Sequence, residues 1–391
     1  MITQQAIEEF KKLKTPFYYY DMDLLRRTLE LYCEQTEKFG YKAHYAVKAN
    51  SDRRILALIR EFGLGIDCVS GGEVALALES GFNPESIVFA GVAKTDEEIL
   101  LGLKAGIGCF NCESIQEIER IDELAWENGC TARIAVRVNP DIDAKTHRYI
   151  STGSEEDKFG ISRHMFPELV KTIKSSQNIK FTGIHLHVGS QITDMGVFRQ
   201  TCLRALEIEK QFEDAGFFVS NINLGGGLGV DYQSPVGNPF PRFKEYFETV
   251  SAALPAKEGR QVHFEPGRAL VAQCGDLVAR VIYVKKGLDK KFVILDAGMN
   301  DLIRPALYGA HHEVENLSSN GGPLRYDVVG PVCESSDVWD TNVLLPATSR
   351  GDLFAIHTAG AYGQVMAMRY NCREFAPSYY SDTISNQSRN Q

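Results

Sequence analysis

The residues best suited to chemistry are one lysine, one glutamate, an H-x-H pair and two glycine-rich segments. Lys48 stands in Ala46-Val47-Lys48-Ala49-Asn50, directly after an apolar run. Desolvation at such a place lowers an amine's pKa and makes it a nucleophile able to form a Schiff base. A lysine that only snorkels from a strand end is the competing reading. Gly225-Gly226-Gly227-Leu228-Gly229 and Glu265-Pro266-Gly267-Arg268 bring together bare backbone N–H groups and a guanidinium, a combination suited to phosphate. Glu265 is placed either for acid–base work or to hold a ring nitrogen protonated. His185-Leu186-His187 reads as a zinc pair or as a flat ring, His187, able to stack on a cofactor, with Ser190 offering a hydroxyl to phosphate. Cys109-Phe110-Asn111-Cys112 has no second C-x-x-C to complete a zinc site and reads as two thiols beside a buried strand. His311-His312 reads as surface or interface and is given no role.

These residues need elements to hold them. Apolar, β-branched runs recur at Ala43–Val47, Leu64–Val69, Ser86–Ala90, Ile107–Phe110, Arg133–Val138, Phe181–His187, Val219–Leu224 and Gln261–Phe264. Helical periodicity separates them, as in Ile115, Ile118, Ile121 and Leu124. The reading is an α/β chain, a (β/α)8 TIM barrel. The rival doubly wound sheet lacks a G-x-G-x-x-G after the first strand. Barrels carry reacting groups at strand C-termini, here Lys48, Asp67, Ala90-Gly91, Asn111, Asn139-Pro140, His187, Gly225-Gly226-Gly227 and Glu265. Lysine, two phosphate loops and a glutamate together are what pyridoxal 5'-phosphate asks of a protein. Past residue 268 short strands alternate with turns such as Asn320-Gly321-Gly322. That texture predicts a mainly antiparallel C-terminal β domain, joined by an N-terminal strand around Phe17-Tyr18-Tyr19-Tyr20. The predicted boundaries are 21–268 for the barrel, 1–20 and 269–377 for the β domain, and a Ser/Asn/Gln-rich frayed tail over 378–391. Ser154-Glu155-Glu156-Asp157 reads as a solvated turn or a lid.

Composition narrows the setting. A net charge of −9 over 391 residues argues against nucleic acid or an anionic membrane as the main partner. No apolar run approaches the ~18 residues of a membrane span, and Met1-Ile2-Thr3-Gln4-Gln5 does not open a signal peptide. Nine irregularly spaced cysteines do not suit a secreted disulfide framework. The expectation is a cytoplasmic enzyme.

The chain resembles the fold-type III pyridoxal-phosphate amino-acid decarboxylases. The resemblance runs from Tyr18-Tyr19-Tyr20-Asp21 to Tyr370-Asn371. It rests on Tyr45-Ala46-Val47-Lys48-Ala49-Asn50, His185-Leu186-His187-Val188-Gly189-Ser190, Asn223-Leu224-Gly225-Gly226-Gly227 and Glu265-Pro266-Gly267-Arg268. Arg304-Pro305-Ala306-Leu307-Tyr308, Gly330-Pro331-Val332-Cys333-Glu334-Ser335 and Gly360-Ala361-Tyr362-Gly363 follow in the family's order. The resemblance implies Lys48 as the Schiff-base lysine, His187 as the stacking ring and Glu265 as the partner of the pyridine nitrogen. Ser190, Gly225, Gly226, Gly227, Gly267, Arg268 and Tyr362 would hold or flank the phosphate.

It also implies that Arg268, Arg304, Tyr308, Glu334 and Tyr362 meet the substrate. Cys333 would lie near the reacting carbon, contributed by the second subunit of a homodimer with shared sites. Related ornithine and lysine decarboxylases place an acid where Arg304 falls. The expected substrate is therefore meso-2,6-diaminopimelate, yielding L-lysine and CO2, with either Cys333 or Lys48 as proton donor. D-ornithine, D-lysine and carboxynorspermidine are the alternative substrates. A racemase, a zinc hydrolase and a non-catalytic cofactor carrier are the remaining readings. Asn371-Cys372-Arg373-Glu374-Phe375-Ala376-Pro377 departs from the Asn-x-Arg-Pro-Arg-Pro common in the family.

Overall fold

The computed structural model describes residues 2–142 and 158–387; the acidic stretch Ser154 to Asp157 lies outside them. The chain divides into two units, Leu29–Gly229 with Arg242–Gly267, and Met1–Thr28 with Val230–Pro241 and Arg268–Gln391. Strand β1 (Phe17–Tyr20) belongs to the latter. In the former, β2 (Lys42–Ala46), β3 (Gly65–Cys68), β4 (Ile87–Phe89), β5 (Cys109–Cys112), β6 (Ala132–Arg137), β7 (Ile179–His185), β8 (Asn221–Asn223) and β9 (Gln261–Phe264) form a closed parallel barrel. Closure comes from β9 returning to β2, with Lys42 opposite His263 and Ala43 opposite Phe264. Each strand overlaps one of the eight apolar runs.

Short polar side chains start the returning helices. Asp52 Oδ1 accepts from Arg54 N and Ile55 N at 2.9 and 3.2 Å, opening Arg53–Glu61. Thr95 and Glu98 form a capping box on Asp96–Ala105, which ends on Gly106 at φ +69°. Such caps contribute ~1 kcal/mol each. Ile115, Ile118, Ile121 and Leu124 are all buried on one face of Ile115–Glu127. Beside the closure, Tyr32, Phe243, Tyr246, Phe247 and Phe264 pack ring to ring, with Phe247 and Phe264 5.1 Å apart and edge-on.

The remaining strands are β10 (Gly275–Lys286), β11 (Lys291–Leu295), β12 (Val314–Asn316), β13 (Pro323–Val329), β14 (Val338–Pro346), β15 (Leu353–Ile356) and β16 (Ser378–Tyr380). They run in the order β12-β15-β10-β11-β13-β14, and β1 joins β10 antiparallel. Pairing is mainly antiparallel; β11 with β13 and β1 with β16 are parallel. The N-terminal strand is preceded by a helix, Gln4–Phe10, whose Phe10 packs on Phe17 and Tyr19. The stretch from 378, read from composition as a frayed tail, instead forms β16 and a helix, Ser381–Gln387. Its few apolar side chains explain this: Tyr379 meets Phe17, Tyr380 stacks on Tyr20, and Ile384 enters the cluster of Phe10, Val278 and Leu353.

A histidine pair joins β2 to β9. His44 Nδ1 donates to the Ser86 carbonyl at 3.0 Å, so His44 Nε2 accepts from His263 Nδ1 at 2.9 Å. That leaves His263 Nε2 buried without a partner. Burial lowers the His263 pKa to about 3, with His44 adding to the effect. A folded-state pKa below the ordinary 6.5 leaves stability whole above pH ~6.5 and erodes it as pH falls toward 3, by up to about 1.4 kcal/mol per pH unit. Urea midpoints taken between pH 7.5 and 5 should therefore fall more steeply for wild type than for His263→Gln; equal slopes would refute the assignment.

Candidate active site

Four strand ends converge on Glu265, the residue after β9. Asn111 Nδ2 (β5) and Asn223 Nδ2 (β8) donate to its Oε1 at 3.2 and 2.6 Å, and His185 Nε2 (end of β7) meets Oε2 at 3.0 Å. Burial pushes this carboxyl's pKa up, but His185 and Lys48 outweigh it and hold the group below the usual carboxylate range. Glu265 is an ionised carboxylate. The neighbouring Asp67 goes the other way: burial and then the charge of Glu265 raise its pKa well above normal. Its Oδ1 is buried without a hydrogen-bond partner, and its Oδ2 lies 3.4 Å from Lys48 Nζ. Lys48 occupies a 3₁₀ turn, Val47–Ala49, directly after β2, with its side chain 39% exposed.

His187 follows β7 by two residues. Gly226 N–H donates to its Nδ1 at 3.3 Å, and burial, then Arg137 and Lys48, drive its pKa well below normal, so the ring is neutral. The glycine run makes this approach feasible. Gly225 has φ +66°, and a Cβ at Gly226 would stand 2.3 Å from the Glu265 carbonyl oxygen. Ser190 is half-buried in the loop after β7, and Gly267 packs against Ala46 and Ala49. Beneath this layer, Glu113 accepts from Arg137 at 2.9 Å and from Gly91 N and Gly160 N at 3.0 and 3.1 Å, tying neighbouring strand ends together.

The other predicted residues lie in the second unit, where Arg268 and Arg304 gather around Tyr232, a residue the sequence reading missed. Arg268 Nη1 donates to Tyr232 Oη at 2.7 Å and its guanidinium lies 4.8 Å over the Tyr362 ring. Arg304 lies 4.8 Å over the Tyr232 ring. Both arginines are buried, and together they lower the Tyr232 pKa against the opposing effect of burial. Arg304 Nη1 donates to His312 Nε2 at 2.7 Å, and His312 Nδ1 donates to the His357 carbonyl at 2.8 Å. His312, read as surface or interface and given no role, is 1% exposed and orients Arg304. The Arg304 Nε is buried without a hydrogen-bond partner, and among the described residues Arg304 has no carboxylate partner. Tyr308 is half-buried at the end of Arg304–Tyr308.

Cys333 and Glu334 are not drawn in with the arginines. Both are exposed, and Glu334 Oε1 accepts from Tyr370 Oη at 2.6 Å. Their loop is tied at its base by Asp337, which accepts from Val332 N and Met299 N, each at 2.7 Å. The partners of Glu265 also escaped the sequence reading, although Asn111 stood among the strand ends. His185 stands in the H-x-H pair and Asn223 opens the glycine motif, but neither signal pairs them with Glu265.

Residues 23–272 match the family model of the pyridoxal binding domain of pyridoxal-dependent decarboxylases. The diaminopimelate decarboxylase of Bacteroides thetaiotaomicron is 50% identical over 379 residues, 97% of this chain and 98% of that one. That of Zymomonas mobilis is 41% identical over 362 residues, 92% and 86% of the two chains. Among solved structures, diaminopimelate decarboxylase from Helicobacter pylori complexed with L-lysine has a TM-score of 0.89 at 39% identity, covering 96% of this chain and 93% of that one. The enzyme of M. jannaschii in complex with L-lysine has a TM-score of 0.89 at 34% identity, covering 96% and 90%.

The three donors on Glu265 are unequal. Asn223→Ala removes the shortest bond and should cost about 1.5–3 kcal/mol, the range for hydrogen bonds to charged groups. Asn111→Ala, losing a 3.2 Å bond, should cost less. Urea denaturation of both variants checks the order.

Proposed function

The chain belongs to the pyridoxal-dependent decarboxylases, in the branch of the diaminopimelate decarboxylases, and from that premise we propose how its residues divide the work. It is a carboxy-lyase that uses pyridoxal phosphate to convert meso-diaminopimelate into L-lysine and CO2, the last step of lysine biosynthesis. The barrel residues fit that cofactor: an ionised, triply held carboxylate, a neutral imidazole, and a glycine run with no side chains in the way of an anion. When bound, pyridoxal phosphate supplies an electron sink for the pair left behind by CO2.

In this reading Lys48 Nζ is the amine that would hold the cofactor. Glu265, kept ionised by His185, Asn111 and Asn223, holds the ring nitrogen protonated. His187 would face the ring as a neutral imidazole that adds no competing charge. Ser190, Gly225, Gly226, Gly227 and Gly267 would hold the phosphate through N–H and hydroxyl donors, and the resemblance gives Arg268 and Tyr362 the same role.

Arg304 takes the substrate's distal carboxylate, with Arg268, Tyr308 and Tyr362 helping, and Glu334 takes the distal ammonium. The proton that replaces CO2 comes from Cys333 Sγ or Lys48 Nζ. The exposed Cys333–Glu334 loop supports a homodimer in which each copy completes the other's site. No described helix is long and apolar enough to cross a membrane, and the nine cysteines form no disulfide; we place the enzyme in the cytoplasm.

The observation that carries the substrate is Arg304, buried with Nε unpartnered and Nη1 fixed by His312. A carboxylate completes that guanidinium as a two-point fork. An amine-ended substrate such as D-ornithine or D-lysine does not.

Purified protein with pyridoxal phosphate should release CO2 and L-lysine from meso-diaminopimelate, and neither CO2 nor amine from D-ornithine, D-lysine or carboxynorspermidine. Arg304→Leu should raise KM for meso-diaminopimelate about 10- to 100-fold, as loss of a charge-assisted pair predicts. Lys48→Ala should abolish turnover; near-normal activity in that variant would remove the scheme.

A further inference from the structure

A cleft of about 520 Å³ lies within the unit that carries Arg304; among the described residues its lining includes none assigned above to cofactor or substrate. Among the described residues, its wall holds four carboxylates, Asp21, Asp276, Glu313 and Glu315, one imidazole, His357, and no lysine or arginine. His357 is clamped between two of the acids, Nδ1 3.0 Å from Asp276 Oδ1 and Nε2 2.9 Å from Glu315 Oε2. With an acceptor at each nitrogen the ring is an imidazolium. Burial opposes that charge, but Asp276 and Glu315 raise the pKa to about 10. One cation among four carboxylates leaves the cleft strongly negative.

A second observation points the same way. Three buried atoms on cleft-lining residues have no hydrogen-bond partner: Glu313 Oε2, Gln273 Oε1 and Thr358 Oγ1. Thr358 is 1% exposed. A carboxylate oxygen and an amide oxygen only accept, and a hydroxyl can accept as well. Buried acceptors without donors are costly, and ammonium groups, each with three N–H donors, would satisfy them. The wall also carries the polar Asn316, Ser319 and Asn320 and a set of apolar side chains, Ile7, Leu24, Val236, Val314 and Leu345 among them, that suits methylenes.

We propose that this cleft binds a linear aliphatic diamine or polyamine, its ammonium groups taken by Glu313 and Glu315 and its methylene chain by the apolar wall. The volume falls in the range of small-molecule sites, about 300–1,000 Å³. An amino acid is the poorer ligand, because its carboxylate would meet four acids and an imidazolium already occupied by two of them. The inference does not depend on the decarboxylase reading.

Titration calorimetry of the full-chain holoprotein with 1,5-diaminopentane, spermidine and L-lysine tests it. The cofactor's visible absorbance, followed in parallel, reports any amine that reaches Lys48 instead. The expected result is saturable one-site binding of a diamine or polyamine at least tenfold tighter than L-lysine. Glu313→Gln and Glu315→Gln should each weaken it tenfold or more, with the absorbance response unchanged. Glu315 is exposed, so that variant keeps its fold. No heat with either amine, equal affinity in both variants, or L-lysine binding as tightly would overturn the proposal.

Discussion

An ionised carboxylate at the C-terminal mouth of a parallel barrel has to be compensated by its surroundings, and Glu265 is compensated by three side chains from three other strand ends. Desolvation of such a charge costs several kcal/mol. The cost is offset only if Asn111, His185 and Asn223 arrive together, so this one group ties the ends of β5, β7, β8 and β9. The same charge also splits the two carboxyls of the mouth. Glu265 stays ionised while Asp67, buried beside it, is driven toward the neutral form. Opposite protonation of two neighbouring acids is a recurring arrangement where one site needs both roles.

The second unit meets the converse problem, two guanidinium cations buried side by side. Arg268 and Arg304 share the Tyr232 ring and hydroxyl, and His312 accepts from Arg304 as a neutral imidazole. Burial lowers the pKa of Arg304 and, with Arg304 beside it, that of His312. Such a cluster holds guanidinium groups in place while leaving one of their donors, Arg304 Nε, unspent. A carboxylate ligand gains most where the protein has already oriented the fork and has not paired it.

Much of this is legible in the chain. Eight apolar runs separated by helical periodicity announce the barrel, because parallel strands are buried on both faces. Lys48, the Gly225–Gly227 run and Glu265 can be read from type and place, since a strand-end position and missing side chains are local properties. The helix at Gln4–Phe10 and the strand at Ser378–Tyr380 could not be read this way. Each depends on a few aromatic contacts with β1 and its neighbours rather than on its own composition.

The sequence by itself determined the fold class and the places of the lysine, the glycine run and the arginines, because periodicity, backbone freedom and side-chain chemistry are written residue by residue. Only the tertiary structure decided which groups serve them. Asn111 lies 154 residues from Glu265, and Tyr232 lies 36 from Arg268, and no local pattern pairs them. It also decided charge state: Glu265 and Asp67 are both ordinary acids in the chain. They part only where burial and His185 act on them at distances of a few ångströms.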